Sequence, residues 1–305
     1  MNMVEPRNFT GLRGVLTLNA PLAPHTSWRA GGRADAAYVP ADRDDLALFL
    51  RQLPIFESVI VLGLGSNTLV RDGGVRGAVV LLHNPGGMLA VADGFVYAEA
   101  GVACPKLARF AARHGCAGAE FLAGVPGTVG GALAMNAGCY GGETWAQVAK
   151  VELVMRDGGF VVRTPADYAI GYRSVKRADG RAADGIFTAA WFRFPSGDGD
   201  AARLRIRELL ARRLASQPLD QPNAGSVFRN PPGDHAARLI ESAGLKGFSI
   251  GGARVSDKHS NFIVNAERRA SAADIEQLIE HVQKTVAART GVTLEREVRI
   301  IGEAA

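Results

Sequence analysis

The chain has 305 residues, 47% of them hydrophobic, with a formal net charge of +5 and a pI near 9.3. That length supports a large core divided into two or three lobes, and the composition is globular rather than disordered. Three cysteines, Cys104, Cys116 and Cys139, form no CxxC pair and leave one unpaired in any bridging scheme, which argues against a disulfide scaffold or structural zinc and for a reducing, cytoplasmic compartment.

The opening MNMVEPRNFT lacks the apolar stretch of a secretory signal. Asp42 with Asp45 three residues on forms a capping-box pattern and predicts a helix over RDDLALFLRQL. Strand-like runs follow at SVIVLG (58–63), GAVVLL (77–82) and FVYAEA (95–100); such runs are far too short to cross a bilayer, so no membrane association is expected. Pro105 opens a helix, PKLARFAAR, with Gly115 placed to close it. A strand-rich middle comprises VAKVELVMR (148–156), GFVVRT (159–164) and GIFTAAWFRF (185–194), with Asp157-Gly158 as a hairpin turn. The polar, Gly-rich PSGDGD (195–200) marks the best domain boundary.

Beyond it come a basic helix over 200–215 ended by Pro218, a helix from Asp234 closed by Gly244, the strand NFIVN (261–265), a helix boxed by Ser271 and Asp274 and closed by Gly291, and the strand LEREVRII (294–301). The whole is α+β. Its arginines are interleaved with acids and alanine, as in LRIRELLARRLA (204–215), and never form a run of five. The positive balance therefore describes solvated helix faces and suits a small anionic substrate better than nucleic acid.

Two glycine-rich stretches could cradle phosphate. In VLGLGSNTLVRD (61–72) a buried-type strand runs into Gly63, Gly65, Ser66 and Asn67, whose N–H groups and side chains could converge on an anion. Thr68 stands where a dinucleotide fingerprint needs its third glycine, so this is no Rossmann motif and, alone, reads more readily as a tight turn. EFLAGVPGTVGGALAMNAG (120–138) carries five glycines and almost no charge. Gly127, Thr128, Gly130, Gly131, Asn136 and Gly138 would let a ring and a diphosphate lie against main chain, or would serve a crowded crossing of elements. Two such loops in one strand-rich domain favour a dinucleotide cofactor outside the Rossmann class.

These stretches, with GYRS (171–174), AGSVFRNP (224–231), LIESAGLKG (239–247), KHSNFIVN (258–265) and LEREVRIIG (294–302), occur in an order that resembles the UDP-N-acetylenolpyruvoylglucosamine reductase family over nearly the whole chain from HTSWRAGGRAD (25–35) onward. The compact GYRS region looks like that family's shorter subtype. The resemblance implies a vanillyl-alcohol-oxidase/PCMH-type FAD-binding domain over 1–198, with lobes of about 1–75 and 76–198, and a C-terminal α+β substrate-binding domain over 199–305 whose last strand could return to the first lobe. It implies non-covalent FAD, held by Gly63, Gly65, Ser66, Asn67 and Thr68 in the first loop and by Pro126, Gly127, Thr128, Gly130, Gly131, Asn136 and Gly138 in the second. NADPH is the implied reductant, UDP-N-acetylglucosamine-enolpyruvate the substrate, and a monomer is expected. Departures are small: Cys139 stands where alanine is expected, Thr68 where leucine is usual, and Arg229 where lysine is common.

The family reaction delivers hydride to the terminal carbon of a vinyl ether and a proton to the carbon beside the carboxylate, so its site needs a cation or hydrogen-bond donors and a proton donor. The resemblance assigns the proton to Ser226, stabilisation of the enolate to Arg173, and a place in the active site to Glu297 as a protonated or hydrogen-bonding partner. Alone, each residue reads blandly: Ser226 as a turn serine, Arg173 as a strand-end arginine, Glu297 as a solvated residue opposite Leu294, Val298 and Ile300 in an alternating strand. Tyr172, Arg213 and Asn230 resemble substrate-contacting positions. No HExxH or paired histidine spacing exists, so no metal is expected, and His259 reads as structural. The rivals are a flavin oxidase of an alcohol or aldehyde on the same scaffold, and a polyanion binder that would carry no yellow chromophore.

Overall fold

The computed structural model describes residues 9–305; the opening segment read for a secretory signal lies largely outside them. The first lobe contains β1 (Val15–Pro21), β2 (Arg33–Val39), α1 (Arg43–Gln52), β3 (Val59–Leu62), β4 (Thr68–Val70) and β5 (Val75–Leu81). Four of these strands form a sheet in the order β1-β2-β5-β3, with β5 parallel to both β2 and β3. A strand flanked by parallel neighbours and covered on both faces should be apolar throughout. In β5, Ala78 and Val80 pack beneath α1 while Val79 and Leu81 face the opposite cluster. The expected lobe boundary near residue 75 therefore cuts through this sheet, and β5 moves it past residue 81. Asp42 caps α1 by accepting the Asp45 N–H, but the reciprocal half of the expected capping box is not made: the Asp45 carboxylate turns to the N–H groups of Arg13 and Ala41 and the Tyr38 hydroxyl instead.

The second lobe runs through β6 (Leu89–Ala92), β7 (Phe95–Glu99), α2 (Cys104–Arg113), α3 (Val129–Met135), β8 (Gly138–Cys139), β9 (Gly142–Glu143), β10 (Val148–Val154), β11 (Phe160–Arg163), β12 (Tyr168–Gly171), β13 (Ser174–Arg177) and β14 (Ile186–Phe192). An antiparallel sheet, β11-β10-β14-β7-β6, carries α2 and α3 on one face. The hairpin β12–β13 forms a two-stranded sheet of its own, packed on the second-lobe core through Tyr168 and Val175, and holds Tyr172 and Arg173 at its turn. The expected domain boundary at 198/199 falls just before α4 (Gly199–Ser216), yet Ala202 and Ile206 of α4 are buried in the second-lobe cluster with Leu107 and Phe194. That helix belongs by packing to the first domain, because its apolar stripe finds its partner surface there.

The C-terminal part comprises α5 (Ala236–Ser242), the short sheet β15 (Ser249–Ile250), β16 (Ala253–Val255) and β17 (Ile263–Val264), α6 (Ala272–Thr290) and β18 (Arg299–Ile301). Ser271 and Asp274 form the capping box of α6, and Gly291 closes it at φ 73°. The expected strand 294–301 shortens to β18, which pairs in parallel with β4 of the first lobe. The seam is extensive. Trp28, Ala30 and Leu69 sit inside the C-terminal cluster, and the Trp28 indole donates to the Ile263 carbonyl at 2.7 Å. Arg71 grips Glu276 with two bonds, 2.8 and 2.7 Å, and Asp72 accepts the N–H groups of Ala272 and Ala273 at the start of α6.

Candidate active site

The turn from β3 to β4 forms the first wall of the site. Gly65 lies at φ +60°, and a Cβ there would meet the His25 carbonyl oxygen at 2.2 Å, so only glycine fits. Its carbonyl accepts from the Ser27 N–H at 3.1 Å. Among the described residues, the N–H groups of Leu64, Ser66 and Asn67 have no protein acceptor. Asn67 also stitches the wall to the chain's end: its carbonyl accepts the Arg299 N–H at 2.9 Å and its amide donates to the Glu297 carbonyl at 3.1 Å.

The second wall is Val125–Thr128 leading into α3, a short helix that glycine-rich sequence disguised as loop. Thr128 caps it by accepting the Gly131 N–H at 3.3 Å. The walls touch where Gly63 meets Thr128: a Cβ on Gly63 would stand 2.4 Å from the Thr128 hydroxyl. Beyond that contact they part into a cleft of about 270 Å³. Gly63, Gly65, Ser66, Asn67 and Thr68 line one side, and Pro126, Gly127, Thr128, Gly131 and Gly138 the other. A second cavity of about 680 Å³ shares Gly63, Ser66, Pro126 and Gly225 with it and extends toward His25 and His83.

These walls fit a flavin dinucleotide. A Cβ on Gly127 or Gly131 would meet no protein atom closer than 3.5 Å, so the missing side chains leave room in the cleft instead of relieving a clash. Three residues of the first wall that line the cleft, Leu64, Ser66 and Asn67, keep N–H donors without a protein acceptor, the groups that a pyrophosphate requires. Two of the expected flavin contacts are elsewhere. Gly130 faces the sheet, donating to the Ala100 carbonyl at 2.8 Å, and a Cβ would press on Ala100 at 3.0 Å. Asn136 is fully buried behind the wall. Neither lines the cleft.

Arg173, Ser226 and Glu297 do come together on it. Arg173 donates from Nε to Glu297 Oε1 at 2.7 Å, from Nη2 to the Gly138 carbonyl at 2.9 Å, and from Nη1 to the Asn136 carbonyl at 3.3 Å. Both members of the ion pair are largely buried, with side chains 16% and 14% exposed. Ser226 follows Gly225, which adopts φ +74°. The next residues are clamped: Val227 donates to Asn261, its carbonyl accepts the Glu297 N–H at 2.8 Å, and Asn261 brackets the Phe228 main chain. The Ser226 hydroxyl makes no hydrogen bond among the described residues. Main-chain pairing thus sets serine and glutamate side by side on neighbouring segments of one cleft.

Of the softer assignments, Arg213 lines the cleft, tethered to Gln217 Oε1 at 2.7 Å and to the Gly124 carbonyl. Tyr172 lies half exposed beside the Arg173 guanidinium, 4.8 Å from ring centre to Cζ. Asn230 is exposed and outside the cleft lining, its side chain accepting the Ala236 N–H at the start of α5. His259 packs edge-on to Phe262, and burial pushes its pKa down. Cys139 lines the cleft; burial pushes its thiol up, against the opposing pull of Arg213 and Arg173. Arg299 lines it too, which sequence reading missed; the alternation that grouped it with Glu297 was the available signal. Among the described residues, no group of three His, Cys, Asp or Glu could hold a metal, and no helix is long and apolar enough to cross a membrane.

A family model described as FAD binding domain matches residues 34–164, and one described as UDP-N-acetylenolpyruvoylglucosamine reductase, C-terminal domain, matches residues 217–301. Fold and cleft together define a flavin-dependent oxidoreductase with a PCMH-type FAD-binding domain. A UDP-N-acetylenolpyruvoylglucosamine reductase of Thiobacillus denitrificans is 56% identical, over 99% of this chain and 98% of the relative. One of Methylococcus capsulatus is 55% identical over 96% and 95%. The crystal structure of the Thermus caldophilus UDP-N-acetylenolpyruvylglucosamine reductase matches with a TM-score of 0.78 at 33% identity, covering 95% of this chain and all of that one. The chain belongs to the UDP-N-acetylenolpyruvoylglucosamine reductase family. It is an FAD enzyme that uses NADPH to reduce the enolpyruvyl ether of UDP-N-acetylglucosamine-enolpyruvate in peptidoglycan precursor synthesis.

Proposed function

We propose that Ser226 is the proton donor of this reaction, Arg173 the cation that stabilises the enolate, and Glu297 the partner that holds Arg173 in place. The observation that carries the reading is the convergence of these residues, from three remote segments, on the cleft formed by both glycine-rich walls. Bound FAD, reduced by NADPH, supplies the hydride. Negative charge then develops on the substrate's carboxylate side, where a planar, always-charged guanidinium suits it better than an ammonium would. Arg173 cannot swing away to meet it, since Glu297 and two carbonyls fix its fork, so little reorganisation accompanies charge development. Serine is a weak acid, but the α-carbon of the enolate is strongly basic, and the unengaged Ser226 hydroxyl can pass its proton there, the alkoxide then recovering a proton from water.

Leu64, Ser66 and Asn67 are proposed to hold the pyrophosphate of FAD through their free N–H groups, with Gly63, Gly65, Thr68, Pro126, Gly127, Thr128, Gly131 and Gly138 shaping its bed. Arg213 and Tyr172 are proposed to meet the substrate; for Asn230 that assignment rests on the family resemblance alone. NADPH and substrate are proposed to occupy the same flavin face in turn. A monomer is proposed from the family resemblance, and a cytoplasmic setting is proposed because the three cysteines are free.

The test is anaerobic and follows the visible flavin absorbance. In Ser226→Ala, NADPH should still bleach the flavin while the enolpyruvyl substrate no longer restores its colour. Normal reoxidation would remove Ser226 from the role.

A further inference from the structure

We propose that Asn136 is a positioning residue for Arg173 and not a flavin contact. The proposal rests on the reading of Arg173 as the enolate's cationic partner. Asn136 is fully buried and lies outside the cleft lining, yet all its polar groups are engaged. Nδ2 donates to Glu143 Oε2 at 2.9 Å and to the Gly171 carbonyl at 3.1 Å. Oδ1 accepts the Trp145 N–H at 3.1 Å, and the main-chain carbonyl accepts Arg173 Nη1 at 3.3 Å. Gly171 ends β12, two residues before Arg173. The side chain of Asn136 therefore holds the strand entering the catalytic turn, while its main chain holds the guanidinium leaving it.

Local conformation explains the residue type. Asn136 closes α3 in the left-handed region, φ 43°, where asparagine is tolerated better than most residues with a Cβ. The bend brings the carbonyls of residues 136 and 138 onto one guanidinium. Arg173 itself sits at φ 53°, a conformation that persists in a β-carbon-bearing residue only where the surroundings over-determine it. Two donors and one acceptor are needed at position 136. Aspartate would supply no donor when ionised and would set a second carboxylate against Glu143, whereas glycine would keep the bend and lose the three side-chain bonds.

Asn136→Gly is thus the informative variant. Flavin content, visible spectrum and the rate of flavin reduction by NADPH should match the parent. Reoxidation by substrate should slow about 10²-fold at saturation, as expected for a misplaced catalytic group, with substrate affinity almost unchanged. In the Arg173→Ala background the same change should cost less than about twofold, because a residue that acts through another has nothing left to act on. If Arg173→Ala alone leaves reoxidation intact, the reading of Arg173 fails. If Arg173→Ala is slow and Asn136→Gly either multiplies that loss in full or perturbs the flavin spectrum, the positioning role is overturned while that of Arg173 stands. Should Asn136→Gly not fold, Glu143→Ala removes one of the two Nδ2 acceptors: a loss that vanishes with Arg173→Ala supports the proposal, and no loss or an undiminished one overturns it.

Discussion

Arg173 Nε donates to Glu297 Oε1 at 2.7 Å, joining residues 124 apart in sequence and from different domains. Lysine at 173 could not serve Glu297 and the carbonyls of Asn136 and Gly138 together, since its ammonium is a point donor without a fork. Arg173→Lys should slow substrate-dependent flavin reoxidation by about 10²–10³-fold, the range for losing an oriented stabiliser of developing charge. Flavin reduction by NADPH should change little. Stopped-flow measurement of each half-reaction separates the two.

Gly65→Ala tests the first wall. The position combines φ +60° with a clash at 2.2 Å against a main-chain oxygen, which cannot move as a flexible side chain could. A loss of at least about 1 kcal/mol in stability is expected from the backbone conformation alone. Flavin per protein, read from absorbance, should fall with it. A protein of parental Tm and full yellow colour would remove Gly65 from the cradle.

The sequence announces its helix ends more clearly than its site. Asp42, Ser271, Asp274 and Gly291 act where their patterns place them, because caps satisfy local main-chain groups and need no distant partner. β1 and the alanine-rich β2 pass unnoticed, as does α3, whose Gly-Gly-Ala run lacks the polar face that marks a helix. Glu297 shows why the site was legible only by family resemblance. Alternation correctly puts Leu294 and Val298 inside, but it names only the apolar face and says nothing of what opposes the polar one. Here that side opens on an inter-domain cleft instead of bulk water.

The Arg71–Glu276 clamp should make domain docking acid-sensitive. The Arg71 hydrogen bond, working against burial, holds the Glu276 carboxyl below its ordinary value of 4.5. A depressed carboxylate contributes stability that is complete above the unfolded value and is lost as pH falls through the folded one, so the loss lies below pH 4.5. Because Arg71 is partly solvated, Glu276→Gln should cost only about 1 kcal/mol at pH 7. The difference from the parent should shrink as pH falls below that point. Denaturant unfolding at several pH values checks it.

Cysteine reactivity follows from burial. Cys104 is fully buried and its thiol is pushed up to about 12 by loss of solvent, so it should stay unmodified in the native protein. Cys139, also pushed up by burial, should alkylate more slowly than a free thiol at pH 7 and faster as pH rises. Since it lines the cleft, FAD should protect it. Mass spectrometry of iodoacetamide-treated apo and FAD-loaded protein reads both effects.

The parallel pairing of β18 with β4 also has a temporal side. Asn67 sits in the first quarter of the chain, but its carbonyl and amide wait for partners at residues 297 and 299. A nascent polypeptide can fold both lobes around their own cores and still present only a half-built cradle. With Asn67 in the proposed pyrophosphate cradle, cofactor capture should wait until residues 297–301 have been made, so a ribosome-stalled fragment ending before them should emerge without its chromophore.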